Sequence, residues 1–386
     1  MKIGIISSYF YPWYGGITEH AYYQYRELKR RGHEVRVITP FDGGGMLESE
    51  RDLIRIGKPL FVRANGSVGC VPLIDHYRER IEGIITDDGF DVLHFHQPLL
   101  CRVSIALLDK VHAVREQGGR VPKVVGTFHS CGGKWERFLL RSLLGPYLRR
   151  FHDAFDCKIA VSGASMDFMR TVLPGEYEIV PNGVDYERFA DERETIEEFG
   201  DGCLNVLFVG RLEPRKGVGR LLRSIPLVAN YTDVRFRTII VGDGPHAHRY
   251  RKLVEKYELG NVAFVGDVTS RDLSRYYHTA HIFCSPALSR ESFGIVLLEA
   301  MAAGVPVIGG DNEGYRKVVR TGENGILVDP TDHDKLARSI ARLLESESER
   351  KRLAEQARAD CQQYRWPVVF SVVEYHYRRL LDGGGA

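Results

Sequence analysis

The alternation of short apolar runs with longer amphipathic runs constrains the fold of this chain more than any other feature. In the first half, the apolar runs KIGIIS, EVRVIT, DVLHFH, KVVGTF and KIAVS occupy residues 2–7, 34–39, 91–96, 123–128 and 158–162. The helix-like run ITEHAYYQYRELKRRG lies between the first two and ends in basic residues and a glycine, as helix C-termini favour. This alternation predicts parallel βα units with strands and helices in turn.

The alternation restarts after the polar, acidic stretch DERETIEEFGDG. Its second set of apolar runs lies at 205–211, 237–244, 261–266, 281–286, 305–310 and 325–329. A chain of 386 residues is about two to three times the length of a typical domain. We therefore predict an α/β protein with two doubly wound, Rossmann-like domains, 1–184 and 185–365, facing each other across a cleft. The helix-like run 366–382 follows the completed second domain, so we expect 366–386 to join the first.

Ligands of doubly wound sheets bind beyond the carboxyl ends of the strands, so residues at those positions are the candidates for a site. Gly15 and Gly16 lie between the first strand and the first helix. The chain has no G-x-G-x-x-G sequence, which weakens a dinucleotide interpretation. The two glycines either let the backbone approach an anion at the helix start or form a tight turn only.

Three cations follow the first strand of the second domain, in GRLEPRKG. Arg211, Arg215 and Lys216 precede a glycine and a helix-like run. Cations at a strand end beside a helix start suit a diphosphate, which binds charge-assisted donors and backbone N–H groups. A solvated basic loop is the equally good alternative from these residues alone.

Two glutamates border an apolar run in SRESFGIVLLEAMAAG. Gly294 predicts a helix start and Gly304 its stop, so Glu291 precedes the helix and Glu299 lies in its second turn. Carboxylates in so apolar a stretch need partners. Because carboxylates accept hydrogen bonds from vicinal hydroxyls, one could bind a sugar and the other a ribose.

Histidines end two strands of the first domain. His129 in GTFHS either holds a sugar hydroxyl or bonds only to its own glycine-rich loop. His94 and His96 point to the same side of one strand, but no third ligand is evident, so no metal site is predicted. Asp332 of the only D-x-D sequence is expected to cap a helix.

Composition excludes several classes of protein. The formal net charge of +2 gives no argument for a nucleic-acid partner. The seven cysteines are odd in number and never form C-x-x-C, which argues against a disulfide framework or a zinc ribbon and fits a reducing cytosol. The N-terminal apolar run is too short for a signal peptide, and no run approaches the roughly 20 apolar residues that span a bilayer. We expect a cytoplasmic protein.

One segment, 134–158, is compatible with a peripheral membrane contact. It mixes basic residues with Trp135, Phe138 and several leucines, so it could lie on an anionic membrane surface. A pair of core helices with a basic outer face fits the same residues equally well.

Together these stretches resemble the retaining GT-B glycosyltransferases of family 4. The resemblance rests on RESFGIVLLEAMAAGVPVI, on PNGVD at 181–185 and on GRLEPRKG at 210–217, and it covers nearly the whole chain. Within that family, GGI, NGSV, DVLHFHQP and GTFHS are similar to the phosphatidyl-myo-inositol mannosyltransferases.

The resemblance implies roles for individual residues. The N-terminal domain would bind the acceptor and the C-terminal domain the nucleotide sugar. Arg211 and Lys216 would neutralise the donor diphosphate, Glu291 would hold sugar hydroxyls, Glu299 would bind the ribose, and His129 would contact the sugar near the reacting carbon. The implied catalytic residues are His129, Arg211, Lys216 and Glu291; the implied donor-binding residues are Gly15, Gly16, Arg211, Lys216, Glu291, Phe293, Gly294, Ile295 and Glu299; the implied acceptor-binding residues are Tyr9, Asn65 and Ser67.

Two departures from the mannosyltransferase pattern concern the acceptor. Gly69-Cys70 stands where that pattern has an arginine after NGSV, and Pro12-Trp13-Tyr14 stands where it has an aspartate before the double glycine.

The implied reaction moves mannose from GDP-mannose to an inositol-phospholipid-like acceptor with retention, by a front-face path without a metal or other cofactor. The alternative is a glucosyl or N-acetylglucosaminyl transfer from a UDP-sugar to a soluble acceptor such as an inositol phosphate. Further classes are a GT-B-shaped epimerase, a phosphorylase that needs pyridoxal phosphate, for which no lysine motif is evident, and a non-catalytic nucleotide-sugar binder.

Overall fold

The computed structural model describes residues 1–13, 15–64, 67–73, 78–100, 102–132, 137–138, 141–142, 145–191, 194–288 and 291–383. The chain divides into two compact units, Met1–Gly183 with Trp366–Ala386, and Val184–Arg365. The predicted boundary lies after residue 184 and the observed one after Gly183. We call these two parts the N-terminal unit and the C-terminal unit.

The described part of the N-terminal unit contains a seven-stranded parallel sheet with the order β3-β2-β1-β6-β7-β8-β9. Its inner strands are buried on both faces by helices, so they form the continuous apolar runs seen in the sequence. The strands are β1 (Lys2–Ser7), β2 (Glu34–Thr39), β3 (Leu53–Arg55), β6 (Val92–His96), β7 (Lys123–Phe128), β8 (Cys157–Ala160) and β9 (Glu178–Ile179). The helices are Gly16–Arg30, Arg78–Thr86, Arg102–Glu116, Gly145–Leu148, Gly163–Met169 and Trp366–Asp382.

A hairpin of β4 (Lys58–Ala64) and β5 (Ser67–Leu73) departs from the predicted βα pattern. The two strands pair antiparallel, from Lys58 opposite Leu73 to Ala64 opposite Ser67. Of the NGSV sequence, Ser67 and Val68 begin β5, while Asn65 and Gly66 lie outside the described residues. Leu60 and Phe61 are exposed, so these two apolar residues of β4 do not belong to a buried core.

The described part of the C-terminal unit contains a six-stranded parallel sheet with the order β12-β11-β10-β13-β14-β15. The strands are β10 (Leu204–Val209), β11 (Phe236–Val241), β12 (Val262–Gly266), β13 (Ile282–Ser285), β14 (Val307–Gly310) and β15 (Ile326–Val328). The helices are Tyr186–Ala190, Val218–Val228, Ala247–Lys256, Ser270–Thr279, Ile295–Ala302, His333–Glu345 and Glu347–Cys361. Every strand predicted for this half is present, within a few residues of its expected ends.

The strand orders place one topological switch point in each unit. In the N-terminal unit the chain continues from β1 to β2 on one side and later returns to β6 on the other. In the C-terminal unit β11 and β13 flank β10 in the same way. Ligands of open α/β sheets bind at such points, beyond the carboxyl ends of the strands. The segments after β1, β6, β7, β10 and β13 are therefore the places to look for a site.

The last helix, Trp366–Asp382, packs in the N-terminal unit, as expected from the sequence. Trp366, Phe370 and Tyr377 are buried in the same apolar cluster as residues of β1 and of helix Gly16–Arg30. Glu374 of this helix accepts hydrogen bonds from Arg31 at 2.8 Å and His33 at 3.1 Å. In the part of the chain that the structure describes, this helix and the others lack the length and apolarity needed to cross a bilayer.

Candidate active site

Glu291 lies at the centre of an ion-pair network in the C-terminal unit. Its Oε1 accepts from Nη1 of Arg215 at 2.9 Å and lies 2.7 Å from Nζ of Lys216. The residue is only 8% exposed, and a buried carboxylate is stable only when such partners balance its charge. The structure thus brings Glu291 together with Lys216 and Arg215, two of the three cations that the sequence singled out.

Glu213 extends this network to Arg211. Its Oε2 accepts from Nε of Arg215 at 2.9 Å, and its Oε1 lies 3.2 Å from Nη2 of Arg211, an ion pair without hydrogen-bond geometry. Glu213 is 3% exposed. The sequence reasoning passed over this glutamate, although it lies in the GRLEPRKG motif. Three cations thus face two buried carboxylates, which leaves the network one positive charge in excess.

Gly217 holds the loops after β10 and β13 against each other. Its φ of +84° lies in the left-handed region, and a Cβ at this position would be 1.9 Å from the carbonyl oxygen of Pro286. The backbone N–H of Leu288 donates to the carbonyl of Arg215 at 2.9 Å across the same contact. This close approach lets Arg215 and Lys216 reach Glu291, which follows β13.

The helix Ile295–Ala302 starts where the sequence predicted. Gly294 precedes it with a φ of +95°, Phe293 beside it is buried, and Ala303 and Gly304 follow its end. Within the described residues no side chain caps the start of this helix, and the first N–H groups of an α-helix lack intrahelical partners. The predicted donor-binding residues Phe293, Gly294 and Ile295 therefore lie at a helix end suited to an anion or a polar ligand.

Glu299 lies in the second turn of that helix. Its Oε2 accepts from the hydroxyl of Tyr277 at 2.7 Å. Burial, together with the Glu299 carboxylate, raises the pKa of Tyr277 well above its usual value, so the phenol is a permanent donor. Tyr277, which the sequence reasoning did not identify, fixes the orientation of this carboxylate.

Residues after β14 pack against the backbone of the segment that carries Glu291. A Cβ on Gly314 would lie 2.1 Å from the carbonyl oxygen of Glu291. Asn312 donates to the carbonyl of Ala287 at 3.1 Å and accepts from the N–H of Tyr315 at 3.0 Å. The DNEGY segment, 311–315, follows β14, which pairs with β13. It was not among the predicted site residues, although it is a polar segment with a glycine at the carboxyl end of a strand, like the segments that were chosen.

The N-terminal unit carries a second polar cluster, formed by four buried histidines. Nε2 of His129 lies 3.0 Å from Nδ1 of His96, and Nε2 of His96 lies 2.6 Å from Oε1 of Gln24. His20 stands edge-on to His129, with ring centroids 4.9 Å apart. Gln97 receives the backbone N–H groups of His129 and Ser130 at 2.8 and 3.1 Å. His129 is therefore held through both its ring and its backbone at the carboxyl end of β7.

Burial keeps these imidazoles neutral. It lowers the pKa of His20 to about 4, against which the Asn182 hydrogen bond acts, and it lowers the pKa of His94 to about 3. Burial, with the neighbouring histidines, also lowers the pKa of His96 and of His129 well below the usual value. His94 and His96 do share one side of β6, with stacked rings 4.9 Å apart. Among the described residues, no group of three or more His, Cys, Asp or Glu side chains is arranged to hold a metal ion.

The remaining predicted residues of this unit lie after β1 and in the hairpin. Gly16 is the first residue of helix Gly16–Arg30, and Gly15 precedes it in extended backbone. The backbone of Tyr9 is held by Ser7, whose hydroxyl donates to the Tyr9 carbonyl at 2.7 Å. Asn65 lies outside the described residues, and of Ser67 the structure describes the strand backbone only.

Two further expectations have different outcomes. The carboxylate of Asp332 accepts from the N–H of Lys335 at 3.0 Å, which confirms the predicted helix cap.

In segment 134–158, Leu148 and Phe151 are buried while Phe138 and Tyr147 are exposed. Trp135 lies outside the described residues. The described part thus has both a core side and an outer side with large apolar residues.

Comparison with known proteins assigns the chain to a family. The model of Glycosyltransferase Family 4 matches residues 14–188, and the model of Glycosyl transferases group 1 matches residues 191–360. The phosphatidyl-myo-inositol mannosyltransferase of Mycolicibacterium smegmatis is 31% identical over 386 residues, which is 100% of this chain and 95% of that protein. The GDP-mannose-dependent alpha-(1-6)-phosphatidylinositol monomannoside mannosyltransferase of Mycobacterium tuberculosis is 28% identical and covers 89% of this chain.

A solved structure extends the likeness to the fold. The Anabaena protein HepE in complex with UDP superimposes with a TM-score of 0.74 at 18% identity, over 97% of this chain and 99% of that one. The sequence led us to expect a GT-B glycosyltransferase of family 4. This expectation agrees with both family models, with the full-length relative and with the two Rossmann-like sheets. The chain therefore belongs to the family 4 glycosyltransferases with the GT-B fold, and its relatives include the phosphatidyl-myo-inositol mannosyltransferases.

Proposed function

We propose that this glycosyltransferase moves mannose from GDP-mannose to the inositol ring of a phospholipid or a closely similar acceptor. The names of two relatives support the acceptor, and one of them also names GDP-mannose as the donor. The observation that carries the proposed chemistry is the network in which buried Glu213 and Glu291 hold Arg211, Arg215 and Lys216 at the ends of β10 and β13.

The network suits a reaction that develops negative charge on a diphosphate. We propose that donor binding exchanges partners: the cations move to the phosphate oxygens, and Glu291 accepts hydrogen bonds from hydroxyls of the sugar. As the bond between the anomeric carbon and the phosphate oxygen breaks, the leaving group gains charge beside cations that are already in place. Fixed charges of this kind stabilise a transition state without further reorganisation.

The same groups make a metal-independent, retaining path feasible. The acceptor hydroxyl forms its bond to the anomeric carbon on the face that the diphosphate leaves, and its proton passes to a phosphate oxygen of the departing GDP. Glu299 would hold the ribose, and the backbone of Gly16 would approach the β-phosphate. His129 would contact the sugar near the reacting carbon. Catalysis would then come mainly from positioning and electrostatic stabilisation.

A pair of variants tests this division of roles. Lys216→Met should weaken GDP binding about tenfold or more, since a charge-assisted hydrogen bond is worth about 1.5–3 kcal/mol. Glu291→Gln should leave GDP affinity within about threefold and lower turnover about a hundredfold, because the lost interaction is to the sugar in the transition state. Isothermal titration with GDP and steady-state kinetics separate the two effects. Unchanged GDP affinity in Lys216→Met would exclude the proposed diphosphate site.

The donor base is tested by thermal unfolding with GDP, UDP and ADP. A nucleotide at a hundred times its dissociation constant stabilises the folded state by about 2.7 kcal/mol, which a melting curve resolves. We expect GDP to stabilise the protein at a lower concentration than UDP or ADP does.

The second candidate is transfer from a UDP-sugar to a soluble polyol. Gly69-Cys70 and Pro12-Trp13-Tyr14 favour it, since both replace charged residues of the phosphatidylinositol pattern on the acceptor side. A preference for UDP, with transfer to inositol phosphate and none to phosphatidylinositol, would select this candidate.

We further propose that the enzyme acts from the cytoplasm as a peripheral protein on an anionic membrane. Phe138 is 62% exposed and Tyr147 is exposed beside Arg149 and Arg150. Exposed aromatic and basic residues in one segment suit the interface of an anionic bilayer. Co-sedimentation with phosphatidylinositol vesicles but not with phosphatidylcholine vesicles is the expected result, and equal recovery in the supernatant would reject the membrane contact.

A further inference from the structure

A buried chain of hydrogen bonds runs from Gln24 to His129. Oε1 of Gln24 lies 2.6 Å from Nε2 of His96, and Nδ1 of His96 lies 3.0 Å from Nε2 of His129. On its other side, Nε2 of Gln24 lies 3.0 Å from Nδ1 of His94 and 2.6 Å from the hydroxyl of Tyr377. The role proposed for His129 at the sugar does not explain why its ring is tied to this chain.

These hydrogen-bonded side chains are buried and uncharged. Gln24, His94 and His96 are fully buried, and His129 is 8% exposed. Since burial keeps each imidazole neutral, each ring carries a single proton, on one of its two nitrogens. A hydrogen bond between two neutral rings then requires one to donate and the other to accept.

These conditions couple the proton positions. The carbonyl oxygen of Gln24 can only accept, so Nε2 of His96 carries the proton and Nδ1 of His96 has a lone pair. Nε2 of His129 must therefore donate to that lone pair. The proton of His129 is then on Nε2, and Nδ1 is unprotonated. Reversing the amide of Gln24 would reverse every one of these assignments.

We propose that Gln24, acting through His96, holds His129 as the neutral tautomer protonated on Nε2, so that Nδ1 is a hydrogen-bond acceptor for substrate. Gln24 and His96 are then positioning residues, which act through His129. The contact between Nδ1 of His129 and the transferred sugar rests on the proposed function. The assignment of the tautomer does not depend on that function.

The consequence for the reaction is specific. Among the described residues, no hydrogen bond to Nδ1 of His129 is made, so this edge of the ring is available to a ligand. An unprotonated nitrogen accepts from a hydroxyl and cannot donate a proton to the leaving phosphate. His129 therefore selects for a hydroxyl donor on the substrate and takes no part as a general acid.

The tautomer is measured directly by long-range nitrogen–proton NMR of the full-length protein labelled with ¹⁵N-histidine at pH 7. We expect the pattern of a single neutral tautomer with protonated Nε2 for His96 and for His129. His129→Asn and His96→Phe provide the assignments. A single tautomer protonated on Nδ1, a mixture of both, or a charged His129 would overturn the proposal.

Gln24→Met tests the coupling, because methionine has a similar volume and cannot hold the proton of His96. The expected result is a mixture of His129 tautomers, a several-fold lower kcat and an unchanged KM for the donor. Ser165→Ala is the matched control, since it also removes one buried hydrogen bond in this unit, from Ser165 Oγ to the carbonyl of Phe128 at 2.7 Å. It should leave the tautomer and kcat unchanged.

The two proposals fail in different ways. If the NMR result holds and neither GDP nor UDP binds, the proposed function is wrong and the tautomer stands. If GDP binds and mannose is transferred while Gln24→Met keeps one tautomer and full kcat, the role of Gln24 is wrong and the function stands.

Discussion

The carboxylate of Glu213 decides where two arginines of the proposed diphosphate site point. It contacts Arg215 at 2.9 Å and Arg211 at 3.2 Å, while the same Arg215 also reaches Glu291. Arginine binds carboxylates through a planar fork, so an arginine shared between two carboxylates has little freedom left. Glu213 thus organises cations that a ligand would otherwise have to order at an entropic cost.

Glu213→Gln is expected to lower kcat/KM for the donor about tenfold to a hundredfold. The substitution keeps the size of the side chain and removes its charge, so Arg211 and Arg215 lose an ion-pair partner. Charge-assisted hydrogen bonds contribute about 1.5–3 kcal/mol, which corresponds to that range of rates. Steady-state kinetics measures the loss, and Glu323→Gln, at an exposed ion pair with Arg320 in the same unit, serves as control. Equal kinetics of the two variants would contradict an organising role.

At this scale the sequence singled out the charged residues of the candidate site more readily than their partners. Arg211, Lys216, Glu291 and Glu299 were identified because charged residues stood out in apolar or glycine-rich stretches. Tyr277 and Gln24 were missed because nothing in their local sequence distinguishes them from core or surface residues. Their importance depends on partners farther along the chain, such as His96 for Gln24, 72 residues away, and only folding brings those partners into contact. Glu213 was missed for another reason, since its partners Arg211 and Arg215 are only two residues away and the motif was interpreted through its cations alone.

The loop that follows β10 is the element on which the C-terminal site depends. Its short 3-10 turn, Pro214–Lys216, carries two of the three cations and ends at Gly217. The contact between Gly217 and the Pro286 carbonyl leaves no room for a side chain. The spacing of cations and acids thus rests on one backbone contact between two loops.

Gly217→Ala is expected to destabilise the C-terminal unit and to weaken GDP binding together. An added Cβ would meet the Pro286 oxygen at 1.9 Å, so the two loops must separate. Gly202→Ala is the control, since Gly202 also has a left-handed φ, of +80°, and its Cβ would meet nothing within 4 Å. A non-glycine residue in this region costs about 1–2 kcal/mol. Gly202→Ala should therefore lose this amount of stability and keep its affinity for GDP. Calorimetry measures the stability of both variants, and titration with GDP measures their affinity.

At the scale of elements, the parallel strands were predictable and the hairpin was not. Strands buried on both faces have continuous apolar sequences, so β1, β6, β10 and β13 stand out within a residue or two of their ends. The hairpin strands β4 and β5 contain Pro59 and Pro72, which oppose each other in the ladder. Proline is disfavoured inside strands, so these sequences do not stand out as a strand pair. Strand β9 has only two residues, too few for any periodicity.

At the scale of the whole molecule, the buried histidines of the described residues all lie in the N-terminal unit. The N-terminal unit contains the cluster of four buried histidines, the further buried histidines His33 and His376, and all three tryptophans, Trp13, Trp135 and Trp366. Tryptophan fluorescence therefore reports on that unit alone, while far-ultraviolet circular dichroism reports on both.

We expect the N-terminal unit to lose stability as the pH falls from about 6.5 towards 4, before the C-terminal unit does. The pKa of His20 is lowered by burial to about 4 and that of His94 to about 3, both from 6.5. Because the folded pKa is depressed, the unfolded chain binds these protons first. The stabilisation is therefore complete above pH 6.5 and declines below it, by up to about 1.4 kcal/mol per pH unit for each imidazole. In thermal scans the fluorescence transition should move to lower temperature with acidification, and the circular dichroism signal should separate into two steps. His94→Gln, which removes one buried imidazole, should reduce the pH slope of the fluorescence transition, and a slope unchanged by it would show that acid acts elsewhere.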